Sequence, residues 1–112
     1  MAVAADNIGG NAVLTEVVHR IVDALAPDRI YLFGSMARGE SHYDSDYDLL
    51  VVVDECAIPA YKLSQKAHSA LWGLKIAVDV LVWPKESFEQ RITLQSSLPA
   101  TVMREGKLLY AA

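Results

Sequence analysis

Apolar residues recur along this chain with two different periods, and the change of period marks its elements. Val13, Leu14, Val17, Val18, Ile21, Val22 and Leu25 fall on one half of a helical wheel, and Glu16, His19, Arg20 and Asp23 on the other. The split predicts an amphipathic helix, capped by Asn11 and stopped by Pro27. Ile30–Phe33, Asp48–Val53 and Ile76–Trp83 are short, near-continuous apolar runs that predict buried strands. Between the last two, Pro59–Leu74 predicts a helix with Leu63, Ala67, Ala70, Leu71 and Leu74 on its inner face. Pro84 is suited to open a third helix running to about Gln90. Leu98–Glu105 predicts a last helix ended by Gly106, before a Lys107–Tyr110 extension. Helices alternating with apolar strands predict an α/β (α+β) fold, a small sheet of at least three strands flanked by helices. Nothing repeats at a fixed period. The small, polar first ten residues, with Gly9–Gly10, read as a loose tail, leaving 11–112 as one domain.

Composition narrows the class of protein. With 53% hydrophobic and 21% charged residues, the 112-residue chain has a folded rather than a disordered balance, and it can bury one core without a staple. Its longest apolar runs fall far short of the ~20 residues that cross a bilayer, so no membrane span is expected. The N-terminus lacks the basic and apolar regions of a signal peptide, and a lone Cys56 fits a reducing cytosol, so a cytoplasmic protein is expected. Ten Lys+Arg against fourteen Asp+Glu give a net charge of −4, which argues against a surface that grips long nucleic acid. A single nucleotide carrying its own magnesium remains compatible with that charge.

The chemistry concentrates in Gly34-Ser35-Met36-Ala37-Arg38-Gly39 and Ser45-Asp46-Tyr47-Asp48. Gly34 ends a strand and, having no Cβ, lets backbone N–H groups approach a ligand. Ser35 stands where a helix would be capped, in the predicted turn Ser35–Arg38 ahead of the polar loop Gly39–Ser45. Unpaired N–H groups with a hydroxyl beside them suit phosphate oxygens, and Arg38 adds a positive charge one turn later. Asp46 and Asp48 are two apart at the start of a strand, so both carboxylates share a face while Tyr47 points away. Such a pair repels unless a proton or cation sits between, and hard oxygen ligands near phosphate favour magnesium. Asp79 interrupts an apolar run, where an unpaired carboxylate on a buried strand is costly, and a metal shared with Asp46 and Asp48 would satisfy it.

Gly-Ser, ten intervening residues, Asp-x-Asp and a later Asp within an apolar strand resemble the nucleotidyltransferase fold of the DNA polymerase β superfamily. The short chain and the Gly-Ser-Met-Ala-Arg-Gly stretch look most like the minimal nucleotidyltransferases, the small partners of HEPN-domain proteins in toxin–antitoxin pairs. The resemblance covers Ile30 to Trp83 well and the two ends loosely. It implies that Gly34 and Ser35 hold the triphosphate of ATP or another NTP. It also implies that Asp46 and Asp48 bind two magnesium ions, and that Asp79 ligates the catalytic metal and helps deprotonate an acceptor hydroxyl. The implied acceptor is a tyrosine of the HEPN partner, modified with AMP. A non-catalytic antitoxin acting by occlusion is the rival implication, and transfer to a small molecule such as an aminoglycoside is a third.

Each feature also has a plainer reading. Gly34-Ser35 could be an ordinary strand-to-helix turn, Asp46 and Asp48 turn or capping residues, and Asp79 half of an ion pair with Lys75 or Arg38. His19, His42 and His68 share no zinc-ligand spacing; His19 reads as a surface residue and His42 as a solvated loop residue. Tyr61, His68 and Trp72 fall close together on the outer side of the Pro59–Leu74 helix. They predict either burial beneath the N-terminal tail or Leu108–Tyr110, or a self-association or partner surface.

Overall fold

Each of the three apolar runs forms a strand, and the short C-terminal extension adds another in the middle of the sheet. The computed structural model describes residues 2–3, 12–34, 47–54, 58–74 and 76–112. The elements follow in the order β1 (Ala2–Val3), α1 (Ala12–Leu25), β2 (Arg29–Phe33), β3 (Tyr47–Val53), α2 (Ala60–Ala70), β4 (Val78–Pro84), α3 (Lys85–Arg91), α4 (Leu98–Glu105) and β5 (Lys107–Ala111). The five strands lie in the order β1-β5-β2-β3-β4. Among the described strands only β3 and β4 run parallel, which requires the crossover that α2 provides; the other pairs are antiparallel. Of the expected tail, Ala2–Val3 pair with Tyr110 and Ala111 of β5. Asn11, Ser35–Arg38 and Gly39–Ser45 lie outside the described residues.

Strand alternation divides the core between the two faces of the sheet. Ile30, Leu32, Leu49, Val51, Val53 and Val80 pack with Leu14, Val17, Val18 and Ile21 of α1 and Leu63 and Ala67 of α2. On the other face Tyr31, Leu50 and Val52 meet Phe88 of α3 and Val102 of α4. The Tyr31 and Phe88 rings stack with centroids 5.7 Å apart, and the Arg29 guanidinium lies over both. Arg29 Nε donates to Asp28 Oδ2 at 3.0 Å and Nη1 to the Tyr31 hydroxyl at 2.9 Å. Burial alone would lower the Arg29 pKa, but Tyr31 and Asp28 beside it raise it above its ordinary value.

The helix ends show why the boundaries fall where they do. Ala26, at φ 46°, donates its N–H to the Val22 carbonyl and turns the chain ahead of Pro27, a left-handed cap on α1. Ser97 caps α4, its hydroxyl accepting from Ala100 N at 3.2 Å. The sequence predicts a helix to Leu74, but α2 stops at Ala70. Residues 71–73 form a turn with Gly73 at φ 91°. Arg20 of α1 closes that end, Nη1 donating to the Ala70 and Trp72 carbonyls at 3.3 and 3.1 Å.

The expectation of a third buried strand also needs correction. β4 is an edge strand, its Val80 buried but Asp79 and Leu81 exposed. Asp79 therefore does not bear the burial cost that the sequence suggested. His19 is exposed, as expected, while Lys75, Cys56 and His42 lie outside the described residues. Among the described residues no helix is long and apolar enough to cross a membrane.

Candidate active site

The candidate site sits where the end of β2 meets the starts of β3 and β4. β2 runs antiparallel to β3 and places Phe33 opposite Asp48, so Gly34 follows immediately beside that carboxylate. Gly34 has φ 77°, a conformation that costs other L-residues about 1–2 kcal/mol. A Cβ built there would collide with Asp48 Oδ2. The glycine thus serves both its own turn and the space the carboxylate occupies.

On the other side, Tyr47 N donates to the Ala77 carbonyl at 3.0 Å, locking the starts of β3 and β4 together. The parallel register then pairs Asp48 with Asp79. Neighbouring strands lie about 4.8 Å apart, so the two carboxylates rise from adjacent positions. Both occupy the sheet face that carries Leu50 and Trp83, while Tyr47 packs on the opposite face as its alternation requires. The row Phe33–Asp48–Asp79 therefore brings two predicted site residues together, with Gly34 against the first.

Asp46, Ser35 and Arg38, the other predicted site residues, lie outside the described residues. Among the described residues no group of three His, Cys, Asp or Glu side chains is placed to hold a metal. Asp48 and Asp79 are themselves hard oxygen donors, so the donor type fits a divalent cation carrying phosphate. A groove of about 800 Å³ lies elsewhere, at the far ends of β3 and β4, lined by Val53, Ile58, Leu63, Pro84 and Lys85. It holds neither Asp48 nor Asp79.

Phe33 is the neighbour that sequence reading missed. Its ring faces the same side as Asp48 and is half-buried against the α3/α4 core, so the carboxylate row begins on a packed aromatic. The alternation Tyr31–Phe33 carried that signal, but only the register with β3 connects it to the site.

Comparison with known proteins bears on family and fold. A "putative protein adenylyltransferase" of Methanocaldococcus jannaschii is 39% identical over 57 residues, a match spanning 51% of this chain and only 56% of that protein. The crystal structure of a "putative nucleotidyltransferase" from Sulfolobus solfataricus superposes with a TM-score of 0.63 at 20% identity, covering 94% of this chain and 83% of that one, a likeness of fold. A toxin–antitoxin structure with AMP-PNP matches at TM-score 0.54 and 27% identity, over 88% of this chain and 73% of that one. The MntA-HpeT toxin–antitoxin, in a variant with two aspartates two positions apart changed to glutamate, matches at 0.53 and 25%, with the same coverage. The nucleotidyltransferase domain family matches residues 14–109, most of the sequence and all of the site. This chain belongs to that nucleotidyltransferase family.

Proposed function

We propose that this chain transfers a nucleoside monophosphate, AMP from ATP, to a protein hydroxyl, a tyrosine of a HEPN-domain toxin, and so acts as the toxin's antitoxin. The observation that carries the reading is the register pair Asp48–Asp79, with Asp48 seated against Gly34. The toxin–antitoxin relatives, one of them holding AMP-PNP, support the substrate and the setting. Residues 11–112 act as one catalytic domain.

Gly34 and Ser35 hold the triphosphate through backbone N–H groups and the serine hydroxyl, and Arg38 adds positive charge to the same anion. Asp46, Asp48 and Asp79 would hold two magnesium ions, whose chemistry is to stabilise the attacking and leaving oxygens of an in-line displacement. Asp79 accepts the proton of the acceptor hydroxyl. The acceptor oxygen forms a bond to the α-phosphorus as the bond from that phosphorus to the bridging oxygen breaks, and pyrophosphate leaves. The reading is tested by co-expressing this chain with the product of its adjacent gene and measuring that product's intact mass. A gain matching AMP on a tyrosine supports transfer.

A second reading, an antitoxin that acts by binding alone, is favoured by the surface around α2. Tyr61 is 63% exposed and Trp72 86%, with His68 exposed between them. The C-terminal strand does not cover them, since Leu109 and Tyr110 are buried in the sheet. This surface serves self-association or the partner. A tight but unmodified complex in the same experiment selects binding over transfer.

A further inference from the structure

Beyond the carboxylates, the same sheet face carries an exposed apolar residue in a specific place. Two further rows cross β2, β3 and β4 there: Tyr31–Leu50–Leu81 and Arg29–Val52–Trp83. The outermost row is covered, with Arg29 over the Phe88 ring and Arg91 over the Trp83 ring. In the middle row Tyr31 stacks on Phe88 and Leu50 is fully buried, yet Leu81 is 39% exposed. Its strand neighbour Val80, on the opposite face, is buried, so β4 itself is well seated and only this face of it is bare.

An exposed leucine by itself needs no explanation. Leu81 differs by position, since it stands two residues along β4 from Asp79 on the same face, about 6.6 Å away. The strand order β2-β3-β4 puts Gly34 on one side of Asp48 and both Asp79 and Leu81 on the other. Phosphates held at Gly34 leave the Leu81 side to the acceptor. Polar groups pressed against Leu81 would lose water without gaining a hydrogen bond. A serine hydroxyl is one bond from its Cβ and would leave Leu81 facing main chain. A side chain with an apolar body between backbone and hydroxyl covers Leu81 while its oxygen reaches Asp79.

We propose that Leu81 is an acceptor-binding residue, the apolar shelf on which the body of the acceptor side chain rests while its hydroxyl meets Asp79. This rests on the transfer reading above. The test uses the full chain with Leu81→Ser, Leu81→Thr and Leu81→Met, the co-expressed adjacent-gene product as acceptor, ATP and magnesium. Transfer is followed by intact mass over a range of acceptor concentrations, and ATP binding by calorimetry. The expected result is a tenfold or greater fall in kcat/KM for the acceptor with Leu81→Ser and Leu81→Thr. ATP affinity should stay within twofold, melting temperature should be unchanged, and Leu81→Met should restore transfer. Transfer by Leu81→Ser or Leu81→Thr within twofold of the wild type overturns the role of Leu81 and leaves the transfer reading standing. Parallel loss of ATP binding and melting temperature in both polar variants assigns Leu81 to structure and overturns it too. No transfer by the wild-type chain overturns the transfer reading itself, and this inference with it.

Discussion

Asp48 and Asp79 are register partners across the parallel pair β3–β4, so two carboxylates separated by thirty residues of sequence stand on adjacent strands and one face. Like charges held this way repel in the absence of a cation. Replacing Asp48 by Asn, or Asp46 by Asn, should therefore abolish transfer, with at least a hundredfold loss. The melting temperature measured without magnesium should be unchanged or higher. A marked fall in melting temperature would instead identify these residues as structural caps.

Asp79 is exposed on the edge strand, on the far side of Asp48 from Gly34. Asp79→Asn should separate binding from chemistry, because the proposed site holds the triphosphate at the other end of the row. Calorimetry should find NTP affinity retained within about tenfold, or roughly 1.4 kcal/mol, while turnover is lost. Equal loss of both would contradict this division of labour.

Gly34→Ala combines two penalties at one atom. The positive φ costs about 1–2 kcal/mol, and the added methyl displaces the Asp48 carboxylate. Denaturant unfolding should report a loss of at least that size, and NTP affinity should fall tenfold or more. Wild-type affinity in a destabilised variant would separate Gly34 from the nucleotide.

Arg20 joins α1 to the end of α2, donating to two carbonyls there while pairing with Glu16 at 2.9 Å. The Glu16 pair lies on an exposed helix face and adds little. The bonds to orphan carbonyls are worth about 1–2 kcal/mol together, so Arg20→Ala should lower the melting temperature by about 5 °C. NTP binding should not change, since Arg20 packs on the sheet face opposite the carboxylates. A loss of NTP affinity without loss of stability would contradict this placement.

Tyr61→Ser combined with Trp72→Gln removes the exposed aromatics of the α2 surface. Light scattering should show a smaller assembled mass, or capture of the partner should weaken, with NTP binding intact. Unchanged mass together with unchanged partner affinity would remove this surface from any assembly. A large fall in the melting temperature of the isolated chain would show that the two side chains are buried within it.

Local signals sufficed for α1, α4 and the face that Asp48 takes on β3. The heptad-like apolar stripe of α1, Pro27 after it, and Ser97 and Gly106 around α4 act over a few residues, through torsion limits and hydrogen bonds to near neighbours. Asp48 and Tyr47 take opposite faces simply because a strand has period two. Strand order is a different matter. Lys107–Tyr110 reads as a short extension, yet forms β5 between β1 and β2, because pairing depends on backbone groups far apart in sequence that no local pattern encodes. The same holds for β4, whose apolar run predicts burial on both faces. Its position at the sheet edge leaves Asp79 and Leu81 exposed and moves Asp79 from a buried charge to an accessible one. At the end of α2, Gly73 turns the chain with φ 91°, and Arg20 reaches across from α1 to two carbonyls there. The sequence by itself thus determined the faces that Asp48 and Asp79 take on their strands. Tertiary pairing alone decided which of those faces meet, because register between distant strands is a property of the closed sheet and of no single segment.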